Sequence, residues 1–266
     1  MATNAKMLAV GVENDAPPEQ KHKSEVMQAP VRPLKHRWYP GVKEKLEQLA
    51  ALILLVPVAP LIGLFAILVK LTSRGPAFYW QTRIGKQGKA FTIYKLRTMI
   101  HNCESLTGAR WSMPGDPRIT WIGHLLRVTH LDELPQLLNV LKGDMGLIGP
   151  RPERPEFLPE LEAALGGYRQ RLQVRPGVTG LAQVQLPSDT SITSVKEKLS
   201  YDLYYVQHLS PWLDLKILFC TLLYVCGAPY RTMRHVLGIP PKAEIEKQME
   251  HYVFEVSTQR QSGRAA

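Results

Sequence analysis

Cysteine is scarce in this chain, with three residues among 266, and no two of them form a CxxC pair. A disulfide framework and a cysteine zinc site are therefore not supported, and a reducing, cytosol-facing location is expected. The eight histidines include no HxxxH or HExxH spacing, which argues against a catalytic zinc site. The GxxxxGKS/T and GxGxxG loops that bind nucleotide phosphates are also missing from the sequence.

Acidic residues are fewer than basic ones, 23 against 33, which gives a formal charge of +10. This excess favours anionic partners such as nucleic acid, lipid headgroups or a phosphorylated substrate. The cations are scattered and no recognition motif accompanies them, so nucleic acid is not expected as a partner. Residues 1–40 show little apolar periodicity and are predicted to be a disordered or accessory tail rather than a secretory signal.

Charge is absent from Leu49 to Val69. Because roughly 20 apolar residues cross a hydrocarbon core as a helix, we expect membrane association. Pro57 and Pro60 each remove a backbone donor, which predicts a sharp kink. Basic residues flank both ends of the run, and this favours a re-entrant helix over residues 41–72 that enters and leaves on one face. A kinked transmembrane helix and a buried core helix are the alternatives.

A second apolar stretch, Leu213 to Val225, is about 13 residues long and too short to span a bilayer. Ser210 followed by Pro211 is typical of a helix N-terminus. The helix packs in the core or lies at the membrane interface, where Trp212 and Tyr224 are suited to the headgroup region. Core packing is the favoured interpretation.

A glycine-containing basic turn, Arg83 to Lys89, precedes a β-prone run from Phe91 to Met99. This pattern predicts a β-hairpin. Strand alternation places Lys95 and Arg97 on one face. Two such cations can bind a pyrophosphate, although a basic strand end is more often simply solvated.

The pair Asp132-Glu133 opens a predicted helix, because leucines follow at helical spacing and Lys142-Gly143 supplies a cationic end and a glycine stop. Asp132 is then expected as the N-cap, with Glu133 a favourable charge at the positive helix end. A helix N-terminus also attracts phosphate oxygens, so capping does not exclude chemistry. An exposed carboxylate pair beside Arg127, downstream of a membrane-length segment, indicates phosphate chemistry at a bilayer.

Three further positions have both a structural and a functional interpretation. Arg151 lies between two prolines, which would present its guanidinium rigidly to a phosphate or let it pair with a nearby glutamate. The stretch Arg175 to Gly180 is predicted to be a Pro-Gly turn. Helical spacing turns Asp202 toward the protein body, where a structural salt bridge is the more common outcome.

Four stretches together resemble the bacterial sugar transferase family, the monotopic phosphoglycosyl transferases. They are Phe91 to Met99, Leu131 to Glu153, Arg175 to Gly180, and Tyr201 to Tyr205. The resemblance covers roughly Lys43 to Cys226. The sequence differs from the family pattern at Ala59, where members of the family commonly have a serine before the proline of the kink.

The resemblance implies an enzyme of the bacterial inner membrane, with its catalytic domain on the cytoplasmic face. It would move a sugar 1-phosphate from a UDP-sugar to undecaprenyl phosphate, release UMP, and open assembly of an exopolysaccharide or related glycan. Asp132 is implied as the nucleophile that forms a phosphosugar anhydride and as a ligand of Mg²⁺, with Glu133 assisting. The implied phosphate-binding residues are Arg127, Lys95, Arg97 and Arg151, and the implied supporting residues are Asp202, Asp144 and Arg175.

The expected fold is α+β and mainly helical, with the re-entrant helix, a small β-hairpin and amphipathic interface helices. Residues 73–227 form the predicted catalytic domain. Residues 228–266 are a C-terminal extension, with a helix predicted over Ala243 to Val256, available for homo-oligomer formation or partner binding. The alternative from another functional class is a membrane-anchored, non-catalytic interaction protein on the same fold.

Overall fold

The computed structural model describes residues 38–105, 108, 110–113, 115–187 and 191–251. Residues 1–37 of the tail predicted over residues 1–40, and the end of the predicted C-terminal helix, lie outside these ranges, whereas Tyr39 and Pro40 already belong to the first helix. The chain is mostly helical. Its helices are α1 (Tyr39–Thr72), α2 (Trp121–Val128), α3 (Leu137–Lys142), α4 (Leu158–Ala164), α5 (Ile192–Gln207), α6 (Pro211–Val225) and α7 (Tyr230–Leu237). Residues 242–251 are also helical.

The predicted β-hairpin is confirmed. Strands β1 (Phe78–Ile84) and β2 (Ala90–Leu96) pair antiparallel, from Phe78 opposite Leu96 to Ile84 opposite Ala90. A short 3-10 turn, Lys86–Gly88, connects them. A second, parallel pair joins β3 (Gly146–Ile148) to β4 (Gly177–Thr179). The stretch predicted to be only a Pro-Gly turn therefore contains a strand, which the sequence pattern missed because three residues are too few to show alternation.

Helix α1 contains the apolar run and is continuous through Pro57 and Pro60. Among the described residues it alone is long and apolar enough to cross a membrane, and 11% of its most apolar window is buried. That low burial excludes the buried-core alternative. Ala51 packs with the β2 and α3 side chains, whereas Val69 packs with Leu96 and α2. Both ends of the apolar run therefore contact the same globular body.

The first turn of α1 is joined to this body by a buried polar network centred on Asp214 of α6. Asp214 accepts hydrogen bonds from the Tyr39 hydroxyl at 2.6 Å, the Lys43 ammonium at 2.7 Å and the Tyr205 hydroxyl at 2.8 Å. Lys43 also pairs with Glu47, whose carboxylate accepts the N–H of Ile148 in β3 at 3.0 Å. The network gives the buried carboxylates the partners that burial requires.

Helix α6 begins as predicted, with the Ser210 hydroxyl accepting the Leu213 N–H and Pro211 in the first turn. Its inner face, with Ile217 and Cys220, belongs to the main core. Its outer face is apolar and exposed, including Trp212 at 67%. Core packing, the favoured interpretation, is confirmed for the inner face, and the interface position of the outer face stays a prediction.

Candidate functional site

A cavity of about 690 Å³ opens between the β-hairpin, the C-terminal end of α2, and the segment after β3. Six residues proposed from the sequence line it: Lys95, Arg97, Arg127, Asp132, Glu133 and Arg151. The acidic pair lies in a 3-10 helix, Leu131–Gln136, which leads directly into α3. We call this 3-10 helix the carboxylate turn.

Two expectations about the carboxylate turn were wrong. Asp132 is not the N-cap, because His130 occupies that position with φ 57° and no side chain caps the turn. The pair is also buried rather than exposed, at 7% for Asp132 and 8% for Glu133. A left-handed backbone at a residue other than glycine is uncommon, and no sequence pattern around His130 predicts it. The predicted stop at Gly143 is confirmed, with φ 79°.

Glu133 is held by two cations. The Lys95 ammonium donates to its Oε1 at 2.7 Å, and the Arg151 guanidinium donates to both carboxylate oxygens, at 2.6 and 3.2 Å. Arg151 therefore pairs with Glu133 rather than with Glu153 or Glu156. Although burial opposes ionisation of Glu133, Arg151 and Lys95 outweigh it and hold its pKa well below the usual range. Glu133 is thus an ionised anchor.

Asp132 has the opposite electrostatic environment. Burial and the neighbouring Glu133 charge raise its pKa to about 6, against the opposing effects of Lys95, Arg127 and Arg151. A carboxylate with raised proton affinity and little hydration is also a stronger nucleophile when it ionises. Asp132 is therefore the carboxylate of the pair suited to attack a bound electrophile.

Arg127 reaches the cavity from the last turn of α2. Its Nε donates to the Thr98 hydroxyl at 2.9 Å and its guanidinium to the Ser112 hydroxyl at 2.8 Å. Both partners are neutral, so the guanidinium charge is left for an anion in the cavity. Sequence reasoning missed Thr98 and Ser112, because hydroxyls that orient an arginine carry no distinctive spacing.

The remaining proposed residues, apart from Arg97, lie outside the cavity. Arg97 donates to the carbonyls of Arg74 and Ser73 and to the Ser73 hydroxyl, so it holds the C-terminal end of α1 although part of it borders the cavity. Arg175 pairs with Glu44 of α1 at 2.8 Å. Asp144 lies in the turn after α3, where its N–H donates to the Asn139 carbonyl.

The predicted structural salt bridge of Asp202 is confirmed. Arg171 donates to its carboxylate at 2.6 Å, and both side chains are buried. Asp202, Asp144 and Arg175 do not line the cavity. Arg171 was not identified from the sequence, because nothing in its neighbourhood separates it from the exposed Arg169.

The cavity offers few ligands for a metal ion. No group of three His, Cys, Asp or Glu side chains suited to a metal occurs within the described ranges. Mg²⁺ is commonly bound by one or two carboxylates together with substrate phosphates and water. Asp132, whose neighbour Glu133 is already paired with cations, fits that pattern as the single protein ligand beside a pyrophosphate.

Known proteins resemble most of the chain. The sequence model of the bacterial sugar transferase family matches residues 38–228. A UDP-glucose:undecaprenyl-phosphate glucose-1-phosphate transferase of Caulobacter vibrioides is 44% identical over 68% of this chain and 68% of its own length. A UDP-N-acetylgalactosamine-undecaprenyl-phosphate N-acetylgalactosaminephosphotransferase of Aeromonas hydrophila is 41% identical over 69% of this chain.

The match covers 43% of the length of the Aeromonas enzyme, so the chain spans less than half of that relative. An exopolysaccharide production protein of Rhizobium leguminosarum is 39% identical, and 93% of its length is covered. The family resemblance inferred from the sequence motifs is confirmed by these matches.

Proposed function

Because the chain belongs to the bacterial sugar transferase family, we propose that it transfers a sugar 1-phosphate from a UDP-sugar to undecaprenyl phosphate and releases UMP. The relatives' names support this reaction class. The observation that carries the proposal is the division of the acidic pair: Glu133 is anchored by two cations, whereas Asp132 has a raised pKa beside the free charge of Arg127. A non-catalytic role is not favoured, because these groups are retained together at one cavity.

The first step is attack by a carboxylate oxygen of Asp132 on the sugar-bearing phosphorus. The bond from that phosphorus to the bridging oxygen breaks, UMP leaves with the electron pair, and an acyl phosphate links Asp132 to the sugar phosphate. In the second step a phosphate oxygen of undecaprenyl phosphate attacks the same phosphorus. Asp132 leaves as a carboxylate, and the lipid-linked diphosphate sugar is the product.

The surrounding cations make the first step feasible. Arg127, Lys95 and Arg151 outnumber the two carboxylates of the acidic pair, and the whole lining of the cavity carries eight arginine and lysine side chains against four carboxylates. Such preorganised cations stabilise the charge that develops on transferring phosphoryl oxygens. A Mg²⁺ ion bound by Asp132 and the pyrophosphate would neutralise further phosphate charge. Glu133 keeps Lys95 and Arg151 oriented and need not itself transfer a proton.

Asp132→Asn tests the covalent mechanism. With Mg²⁺, a UDP-sugar and undecaprenyl phosphate, the wild-type protein should release UMP and the variant should not, because an amide cannot form the anhydride. Mass spectrometry of the wild-type protein with donor alone should detect the phosphosugar adduct. Glu162→Gln, the same carboxylate-to-amide change at a surface pair with Arg169, serves as the control. Undiminished UMP release by Asp132→Asn would refute the mechanism.

The relatives do not identify the donor sugar, because one is named for UDP-glucose and another for UDP-N-acetylgalactosamine. UMP release measured across a panel of UDP-sugars would identify the substrate. We propose exopolysaccharide or related glycan assembly as the pathway class, in line with the Rhizobium relative.

We also propose that α1 is re-entrant in the inner membrane, with the catalytic body on the cytoplasmic face. Residues along the whole of α1, from Ala51 through Val58 and Ile62 to Val69, pack against one body, and this supports a helix that stays on the same side of the bilayer as that body. Pro57 and Pro60 leave the carbonyls four residues earlier without their helical donors, and this favours bending at that point.

Cysteine labelling tests this topology. Lys45→Cys and Arg74→Cys place exposed labels at the two ends of α1, in a protein whose three native cysteines have been replaced. A membrane-impermeant maleimide should label both positions from the cytoplasmic side only. Labelling of the two positions from opposite sides would establish a spanning helix instead.

A further inference from the structure

The segment that carries Arg151 is fixed through its backbone. Each of the four consecutive carbonyl oxygens of residues 150–153 accepts a hydrogen bond from a different part of the chain. The donors, in order, are the Gly177 N–H at 3.0 Å, the Arg171 guanidinium at 2.7 Å, the Arg83 guanidinium at 3.1 Å and the Ile84 N–H at 2.9 Å. Strands β4 and β1 thus supply two donors, and two arginine side chains supply the others.

Arg171 differs from Arg83 in its position. Arg83 lines the cavity, where it can meet substrate directly, whereas Arg171 does not line it. Arg171 lies behind the Arg151 segment and is 6% exposed. Any effect of Arg171 on the reaction must therefore pass through the residues it contacts.

The guanidinium of Arg171 contacts three acceptors in different directions. Its Nε and one terminal nitrogen bind Asp202, at 2.9 and 2.6 Å, and its other terminal nitrogen donates to the Tyr168 hydroxyl at 2.8 Å. The nitrogen bound to Asp202 at 2.6 Å also donates to the Arg151 carbonyl. Asp202 and Tyr168 are 3% and 2% exposed, so this arrangement is enclosed in the protein. Only the planar guanidinium supplies donors in this fixed geometry.

We propose that Arg171 is a positioning residue that fixes the main chain at Arg151 so that the Arg151 side chain can hold Glu133. Asp202 supplies the charge that allows Arg171 to be buried, and Tyr168 fixes the rotation of its guanidinium. The order of contacts is Asp202, Arg171, the Arg151 carbonyl, the Arg151 guanidinium, and Glu133 beside the nucleophile. This inference rests on the proposed transferase function.

A double-mutant cycle between Arg171 and Arg151 tests it. Arg171→Lys keeps the charge and loses the fixed geometry, and it should lower kcat for UMP release about 10- to 100-fold, since small misplacement at a reacting centre has that effect. In an Arg151→Lys background the same change should cost less than about threefold, because the residue it positions is already altered. The rates of slow variants can be measured under single-turnover conditions.

A merely structural role of Arg171 gives a different result. General destabilisation would reduce kcat by the same factor in both backgrounds, and this outcome would overturn the proposal. Arg169→Lys is the matched control, since Arg169 lies two residues away in the same 3-10 helix and pairs with Glu162 at the surface. Its kcat should equal that of the wild type.

Two further measurements test the proposal if Arg171→Lys folds poorly or if the protein preparation shows no turnover. Tyr168→Phe removes one hydroxyl and keeps the ring in the core, and it should lower kcat about threefold with donor KM unchanged. A crystal structure of Arg171→Lys should show Arg151 withdrawn from Glu133 with the β3–β4 pairing intact. An unchanged Arg151–Glu133 pair would overturn the proposal without reference to turnover. Absence of UMP release by the wild type would count against the proposed function alone.

Discussion

Asp132 and Glu133 are adjacent in sequence and differ in proton affinity because their side chains meet different partners. Glu133 directs both oxygens to Lys95 and Arg151, whose charges lower its pKa. Asp132 gains less from the same cations and meets the negative charge of Glu133, so its pKa rises. Catalytic sites commonly contain two neighbouring carboxylates whose pKa values differ because their surroundings differ.

This division predicts a pH dependence. Below about pH 6 the Asp132 carboxyl is protonated and neutral and cannot attack, whereas above it the carboxylate is ionised. We therefore expect kcat/KM for UMP release to rise with pH through about 6 and to level off above it. Glu133, whose pKa is lowered, stays ionised throughout that range and adds no second step.

The measurement is a pH profile of kcat/KM between about pH 5 and pH 8 with one donor, because kcat/KM reports groups of the free enzyme. The Glu162→Gln control should reproduce the wild-type profile. A profile that is flat across this range would show that ionisation of Asp132 does not limit the first step.

The sequence predicts which residues line the cavity better than it predicts the orientation and partners of their side chains. The acidic pair, Arg127, Lys95 and Arg151 meet at one cavity as expected. The strand pattern placed Arg97 beside Lys95, but β2 ends at Leu96 and Arg97 turns to the end of α1. Arg171 could not be identified, because its partners, Asp202 and Arg151, come from segments that only the tertiary fold brings together.

At the scale of elements, α2 is set against the end of the hairpin through a glycine. A Cβ atom built on Gly123 would lie 1.9 Å from the Thr98 carbonyl oxygen, which is closer than atoms can approach. Thr120 caps α2 at the Gly123 N–H, and its own N–H donates to Thr98. Arg127, one helical turn later, can then reach the Thr98 hydroxyl.

Gly123→Ala should displace α2 from the hairpin. We expect a destabilisation of roughly 1–3 kcal/mol from overpacking and a loss of UMP release larger than the loss of folded protein, because Arg127 moves with the helix. Thermal unfolding in detergent and the UMP assay measure the two effects.

Gly63→Ala in α1 is the matched control, since a Cβ atom there meets nothing within 4 Å. It should leave UMP release unchanged and should not lower the stability, because alanine is more favourable than glycine inside a helix. Equal stability and equal UMP release in the two variants would mean that α2 tolerates the added methyl group and that its position against the hairpin does not depend on Gly123.

Helix ends with side-chain signals could be predicted from the sequence, as the Ser210-Pro211 start of α6 and the Gly143 stop of α3 show. The parallel pair β3–β4 could not, because its register depends on the close approach of two short segments far apart in the chain. The carboxylate turn was expected as a regular helix. Pro135 lies within it, and the structure forms a 3-10 helix there before α3 begins.

At the scale of the molecule, large apolar side chains remain exposed on α1, α2 and α6. Those on α2 and α6 are Trp121, Leu125, Val128, Trp212, Leu215, Leu218, Phe219, Leu222 and Val225. Exposed apolar surface rimmed by polar residues is typical of membrane contact. We therefore predict that the apolar outer face of α6 contacts the membrane together with α1.

Two charges on α6 should misorient the catalytic body without detaching it, because α1 still anchors the protein. Phe219→Glu with Leu222→Glu removes two exposed apolar side chains that would each contribute roughly 1.5–3 kcal/mol on burial in lipid. We expect transfer to bilayer-embedded undecaprenyl phosphate to fall by about tenfold or more, since about 1.4 kcal/mol corresponds to that factor. Transfer to a short-chain acceptor in detergent should be unchanged.

The control is Gln248→Glu, which adds a negative charge at an exposed position of the helix over residues 242–251. It should transfer normally to both acceptors. Equal losses with the bilayer acceptor and the detergent acceptor would place the defect in the catalytic body instead of at the membrane.

The packing of α1 has a consequence for truncated forms of the protein. Ala51 and Val69 are both 0% exposed within separate core clusters, and Lys43 and Glu47 bond to α6 and β3. A version trimmed of α1 would lose part of both clusters, so a soluble fragment starting at β1 should not fold. Helix α1 is therefore not a removable appendage, and we expect proteolytic cleavage between α1 and β1 to abolish the proposed activity together with the fold.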